Sequence, residues 1–295
     1  MVRKEKIMKK IGLMIDTSAD MPQKYIDQYD ITKVNFIVTF GEESFIAHEE
    51  LSNEEFYKKI KEGAVHPKTA QTPYQTMYDA MLKAAKECET LIYYTLSSKA
   101  SGQFQTATLI AKELMEENPQ LDIRIVDTMA FSHYITATVL YAIELIEAGA
   151  SADEIVEKTT AYTAKWDACF VVDDLNYLMK GGRITKTTAV VGTMLDIKPA
   201  LSVRDGMITT IAKIRGRKKV FSKMIDIIKE SEGFVADKAK FMIVHSNPEE
   251  IDKFVEVLAA EFGEDKICEV CEIGPVIGTH TGPGVLAAIY YKENA

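Results

Sequence analysis

Short apolar runs and amphipathic stretches alternate along the first half of the chain. Residues 11–15 form an apolar run that stops at Asp16, as a strand buried on both faces does. The loop Asp16-Thr-Ser-Ala-Asp20 follows, and a helix is expected from about Pro22. Residues 34–40 predict a second strand. Ser52-Asn-Glu-Glu55 has capping-box spacing for a helix to about residue 61. Residues 63–73 read as a loop with Pro67 and Pro73 in it. Then come a helix over 74–86, a strand over 91–96, a helix over 101–117, a strand over 123–126 and a long helix over 131–148. Gly149 ends that helix, and Ser151-Ala-Asp-Glu154 caps the next. This β-α-β-α order predicts a mainly parallel sheet with helices on both faces.

After about residue 163 the texture changes. Strands are expected at 168–172, 201–203 and 207–214, the last two joined through Arg204-Asp-Gly206, whose Asp-Gly pair signals a hairpin. An apolar segment occupies 189–195. Helices over 218–229 and 249–262 alternate with strands at 240–244, 267–270 and 285–291. The pattern predicts an α/β protein of two domains: a mainly parallel N-terminal domain over 1–163 and an α+β C-terminal domain over 164–295.

Size supports that division, because 295 residues exceed what one core usually serves. A formal charge of −9 argues against nucleic acid as a partner, since phosphate binding wants a basic face. No run reaches the roughly 18 apolar residues of a membrane span. The apolar stretch behind the basic N-terminus is too short for a signal h-region, so a soluble, cytoplasmic protein is expected. The charge is uneven: residues 180–219 hold ten Lys+Arg and two Asp+Glu, a local +8. Four cysteines do not make a disulfide scaffold in a chain this long. Cys268-Glu-Val-Cys271 has the spacing of a redox pair or half a zinc site. It falls on an expected strand, which would send the two thiols to opposite faces, so structural cysteines are favoured.

Nucleotide-binding glycine loops, the GxSxG elbow and HExxH are all missing from the sequence. Hydroxyl-rich and glycine-rich loops at strand ends remain. Ser97-Ser-Lys-Ala-Ser-Gly102 lies at a strand-to-helix turn, where free backbone N–H groups favour anions; Ser101 could equally be a helix cap. In Pro67-Lys-Thr-Ala-Gln-Thr-Pro73, Thr72 could cap a helix with Pro73 at its first position, while Thr69 lies outside that cap. Gly274-Pro-Val-Ile-Gly-Thr-His-Thr-Gly-Pro-Gly284 surrounds His280 with glycine and with Thr279 and Thr281. Such a histidine is either structural or a close-range donor to a ligand. Lys180-Gly-Gly-Arg183 could hold a carboxylate or phosphate bidentately, and 213–219 is a basic cluster with Arg215 and Arg217. Asp16 could be a nucleophile, yet bracing its own loop fits better.

In this order, these motifs together with Asp173-Asp-Leu-Asn-Tyr-Leu-Met-Lys-Gly-Gly-Arg183, Ile197-Lys-Pro-Ala-Leu201 and Arg215-Gly216 resemble the DegV family over essentially the whole chain. The resemblance implies a two-domain protein enclosing a long-chain fatty acid, with no cofactor and no catalysis of its own. It also implies that the acid's carboxylate is presented to a separate ATP-binding subunit of a fatty acid kinase, for phospholipid synthesis. The family's carboxylate-binding threonine maps to Thr69 and its serine to Ser101, with Ser98 the alternative. The loop histidine maps to His280, beside Thr281. Arg183, Arg215 and Arg217 are expected to face the partner or its phosphates, or anionic lipid in transient contact. Ala70, Thr72, Ala100 and Gln103 depart from the family pattern, which implies altered loop packing or ligand choice. Thirteen methionines with 12 Phe and 13 Tyr suit an adaptable apolar tunnel. The competing readings are a stand-alone phosphoryl or acyl transferase using Asp16, His280 and Arg183, and a redox module on Cys268 and Cys271.

Overall fold

The structure, a computed structural model, describes residues 9–63, 65–185, 197–246 and 248–293. The apolar segment 189–195 lies outside the described residues. The N-terminal part runs β1 (Lys9–Asp16), α1 (Gln23–Tyr29), β2 (Thr32–Val34), β3 (Ile37–Phe40), β4 (Glu43–Ile46), α2 (Asn53–Lys61), β5 (Lys68–Ala70), α3 (Tyr74–Ala85), β6 (Cys88–Thr95), α4 (Gln103–Glu117), β7 (Asp122–Asp127), α5 (His133–Glu147) and α6 (Ala152–Ala164). Strands β2, β1, β6 and β7 form a parallel sheet in that order, as the alternating pattern predicts. Both capping boxes form: Ser52 with Glu55 at α2, and Ser151 with Glu154 at α6.

The C-terminal part runs β8 (Trp166–Val171), α7 (Asn176–Gly181), β9 (Ile197–Arg204), β10 (Met207–Arg215), α8 (Val220–Lys229), β11 (Phe241–His245), α9 (Pro248–Phe262), β12 (Ile267–Glu272), α10 (Pro275–Thr281) and β13 (Leu286–Tyr291). Its six strands form one mixed sheet in the order β10-β9-β8-β13-β11-β12. Asp205 and Gly206, both at positive φ, make the two-residue turn of the β9–β10 hairpin.

Three cores follow from strand alternation. On β8 and β13, Ala168, Phe170, Ala287 and Ile289 face the N-terminal part, where they share a core with Ile92, Tyr94 and α5. The alternate residues Cys169, Val171, Leu286, Ala288 and Tyr290 pack under α8 and α9. The other face of the parallel sheet, with Met14, Leu91 and Tyr93, packs on α3 and α4. Strands buried on both faces read as continuous apolar runs, which is why β6 and β8 were legible.

Three expectations change. The strand over 34–40 is broken at Asn35-Phe36, because the Phe36 N–H turns to Thr17 Oγ1 (3.0 Å) and leaves the parallel ladder. The stretch 63–73 is not all loop: β5 pairs antiparallel with β3, in a small sheet ordered β4-β3-β5. The glycine-rich 274–284 segment contains helix α10, with Pro275 at its first position.

Candidate functional site

An apolar cavity lies between Leu96, just past the carboxyl end of β6, the start of α5 and the sheet of the C-terminal part. It holds about 820 Å³ of space between atoms, its open mouth included. Phe36, Leu96, Phe131, Tyr134 and Phe170 supply much of its wall, with Val276 and Ile277 from α10. Tertiary placement decides these residues: alternation identifies a buried face, not which face borders a cavity. Among the described residues no methionine lines the cavity. Met14, Met77, Met81 and Met224 fill the other two cores, while Phe36, Phe131, Tyr134 and Phe170 supply the aromatic part of the expected lining.

One end of the cavity carries hydrogen-bonding groups: Thr69, Ser101, Arg183, His280 and Thr281 all reach it. Pairing of β5 with β3 sets Thr69 opposite Val38. Its Oγ1 lies 2.7 Å from Nε2 of His280, which α10 contributes from the C-terminal part. Burial pulls the His280 imidazole down to about 3, and the Arg183 and His66 charges add to this. A neutral ring is therefore present at neutral pH. Its Nδ1 is buried without a partner and faces Gly181, where a Cβ would collide with it. A glycine is needed at that position for α7 and α10 to approach so closely.

Ser101 precedes α4, whose first residue is Gln103, two later than expected. Its Oγ accepts from the Gln103 N–H at 3.2 Å, so cap-like bracing and a cavity position coexist in one side chain. Arg183 follows Gly182, a left-handed helix cap (φ 70), which turns the chain inward. Its Nε donates to Ala100 O at 3.0 Å and its Nη1 to Gly181 O. Burial lowers its pKa. Arg183 is thus a half-buried cation at the hydroxyl end. Thr281 is buried and donates to Ile277 O at 3.1 Å.

Other expected residues lie elsewhere. Ser98 does not line the cavity; its Oγ faces the Met129 sulfur at 3.9 Å, and its N–H donates to Asp127. Arg215 and Arg217 are exposed, and Arg217 pairs with Glu250 at 3.3 Å. Ile208 lines the cavity and bridges Ile184, beside Arg183. Arg215 lies seven residues farther along β10, roughly 23 Å at 3.3 Å per residue. The three arginines therefore do not form one cluster.

Asp16 lines a different, polar cavity. It accepts from the Ser18 N–H at 2.9 Å and from Ser18 Oγ, and burial pushes its carboxyl up to about 6. Loop bracing is what it does, and it is not assembled with His280 and Arg183. Cys268 and Cys271 are free and, three apart on β12, project to opposite faces. Among the described residues no cluster of three or more His, Cys, Asp or Glu could hold a metal.

Gln103 and Thr72 are hydrogen-bonded to each other. Buried Gln103 donates from Nε2 to Thr72 Oγ1 (3.0 Å) and Tyr93 Oη (2.9 Å), and its Oε1 accepts from the Thr72 N–H (3.2 Å). Thr72 Oγ1 donates in turn to Asn35 O at 3.0 Å rather than capping α3.

These features define a class of α/β protein in which a parallel sheet and the face of a mixed sheet close one largely apolar cavity that Thr69, Ser101, Arg183 and His280 help to line. A family model described as "Uncharacterised protein, DegV family" matches residues 10–293. The chain belongs to the DegV family. It is 33% identical over 279 residues to the DegV domain-containing protein YteA of Lactococcus lactis, covering 93% of this chain and 95% of that one. A solved DegV family protein from Thermus thermophilus, described as fatty acid binding, superposes with a TM-score of 0.86 at 28% identity, covering 96% of this chain and 99% of that one. DegV from Bacillus subtilis, described as a fatty acid binding protein, does so with a TM-score of 0.83, also at 28% identity, covering 96% and 99%.

Proposed function

We propose that this protein binds a long-chain fatty acid, its carboxylate held by Thr69, Ser101, Arg183 and His280 and its chain laid along the apolar cavity. The observation that carries this reading is the meeting of Thr69 with His280, and of Arg183 with the Ala100-Ser101 turn, on the lining of an otherwise largely apolar cavity. A neutral His280 with its proton on Nε2 donates to Thr69 Oγ1, which leaves the Thr69 proton for the carboxylate. Ser101, whose oxygen accepts from Gln103, likewise turns its proton outward. Arg183 supplies the opposite charge that a half-buried carboxylate requires. At about 0.8 kcal/mol per methylene, a chain of roughly fifteen contributes on the order of 12 kcal/mol before ordering costs. Affinity then comes from the tail and orientation from the head. The fatty-acid-binding descriptions of the Thermus and Bacillus relatives support the ligand class.

The same reading extends to what the carboxylate is for. The protein does not phosphorylate it but presents it in the cytoplasm to a separate ATP-binding kinase subunit, which forms the acyl phosphate. Supporting this are the lack of a phosphate loop in the sequence and the placing of Asp16 in another cavity, which leaves a stand-alone transferase without its third group. Two domains, 1–163 and 164–295, closing on the ligand belong to this reading. So does transient contact with anionic lipid during exchange; no helix among the described residues is long and apolar enough to cross a membrane.

Native mass spectrometry of protein purified after lipid-replete expression tests the ligand class. An adduct of fatty-acid mass, lost on denaturation, is expected; protein that stays ligand-free and takes up no added acid would sink the proposal.

A further inference from the structure

Ser97 lies outside the cavity lining, yet a ring of hydrogen bonds runs from it to Arg183 and back. Ser97 is fully buried in the turn between β6 and α4. Its Oγ donates across the molecule to the carbonyl of Gly206, in the β9–β10 turn, at 2.8 Å. Two residues on, the Ile208 N–H donates to Arg183 O at 3.1 Å, and Ile208 O accepts from the Thr185 N–H at 2.9 Å. The Arg183 side chain then donates from Nε to Ala100 O. Ala100 closes the ring, because its N–H donates to Ser97 O at 3.1 Å. The guanidinium is thereby held at both ends: its backbone by the hairpin, its Nε by the turn that also anchors the hairpin tip.

That placement matters because the turn has little else to offer an anion. The Lys99 N–H donates to Ser97 Oγ (3.2 Å), those of Ala100 and Ser101 donate to Ser97 O (3.1 and 3.2 Å), and that of Gln103 donates to Ser101 Oγ (3.2 Å). These backbone donors are committed within the turn, so a carboxylate in the cavity depends on side chains. Among the described residues lining the cavity, Arg183 is the one charged group, since His280 is neutral. Arginine's planar fork rewards a carboxylate only when it is correctly oriented. The hairpin tip is also closely fitted: a Cβ at Gly206 would collide with Ser97 Oγ, so glycine is required for the approach.

We propose that Ser97 is a positioning residue: by holding the tip of the β9–β10 hairpin it holds Arg183 where the guanidinium meets the ligand's carboxylate. The proposal rests on the fatty-acid reading above and adds the residue that fixes the charged partner of the head group. Ser97 touches no ligand itself. Without its hydroxyl the Gly206 carbonyl loses its donor, the hairpin tip is released, and Arg183 moves with Ile208.

Delipidated wild type, Ser97→Ala, Arg183→Ala and the double variant are titrated with a long-chain saturated acid and with the primary alcohol of the same length. The alcohol carries the tail without the charge, so the ratio of acid to alcohol affinity reads head-group recognition; a general loosening of the fold weakens both ligands and leaves the ratio unmoved. Ser97→Ala should lower the ratio at least about fivefold when Arg183 is present, and by less than about twofold when it is alanine. Should Ser97→Ala not fold, Ser97→Cys, whose thiol is a weaker donor, makes the same comparison with a fall of at least about twofold that disappears without Arg183. An equal fall in both backgrounds, or none in either, overturns the positioning role while leaving the fatty-acid reading intact. A wild type that binds no acid overturns the ligand class and the positioning role with it.

Discussion

At Thr69 one hydroxyl joins two parts of the chain, because its partner His280 comes from 211 residues away. Thr69→Ala removes a hydrogen bond to a charged ligand, worth about 1.5–3 kcal/mol. Fatty-acid affinity should fall about tenfold to a hundredfold, read by competition with a fluorescent acid. Wild-type affinity within twofold of the variant's would exclude Thr69 from the clamp. His280 adds a pH argument. Its folded pKa of about 3 lies below its ordinary 6.5, so burial favours the neutral form. Its share of stability is present above about pH 6.5 and is lost as pH falls toward 3. Above about pH 8, where acid and ring keep their charge state and Asp20, pushed up to about 7 by burial, is ionised, wild-type affinity should be flat. A change below about pH 8 that persists in Asp20→Asn would mean that His280 charges in the complex. Thr69, Ser101 and His280 were picked out through the resemblance of their motifs to the family's; local pattern by itself left Ser101 open to a helix cap and His280 to a structural role. The inward direction of Arg183 was not legible, because Gly182 and the Ala100 carbonyl set it.

Among the elements, β5 and α10 show where local pattern fails. Three residues, Lys68–Ala70, carry too little strand propensity to be read alone; β3 supplies their partner. The glycines around His280 mark close approach, yet the backbone between them is helical over Pro275–Thr281. Composition reports what packs against a segment as much as what the segment is. Gln103 is the plainest case, since its bonds to Thr72 and Tyr93 tie α4 to the strand end that bears Thr69. Gln103→Leu should leave the Thr72 N–H buried without its acceptor and cost about 1–3 kcal/mol of unfolding free energy. Denaturant unfolding of Gln103→Leu, Thr72→Val and the double variant checks this. Additive losses would show that the two side chains are not coupled.

Over the whole molecule, the local +8 of residues 180–219 does not gather at the carboxylate end. Arg183 turns into the cavity, while Arg215 and Arg217 lie exposed at the far end of β10. If that face docks the proposed kinase subunit, Arg215→Ala with Arg217→Ala should slow acyl-phosphate formation at least about tenfold through weakened association, while fatty-acid affinity stays within twofold. Equal loss of both would assign the face a structural role. The alternation of apolar runs and amphipathic stretches determined by itself the parallel sheet, the mixed C-terminal part, the Asp205-Gly206 hairpin and the capped starts of α2 and α6. These depend on backbone geometry and side-chain periodicity within a few residues. Tertiary structure alone decided which buried face borders the cavity, that Met14, Met77, Met81 and Met224 pack in cores away from it, that Ser98 stands aside and that Asp16 and His280 belong to different cavities. Each of these is set by contacts between residues far apart in the chain, and a local pattern carries no record of such distances.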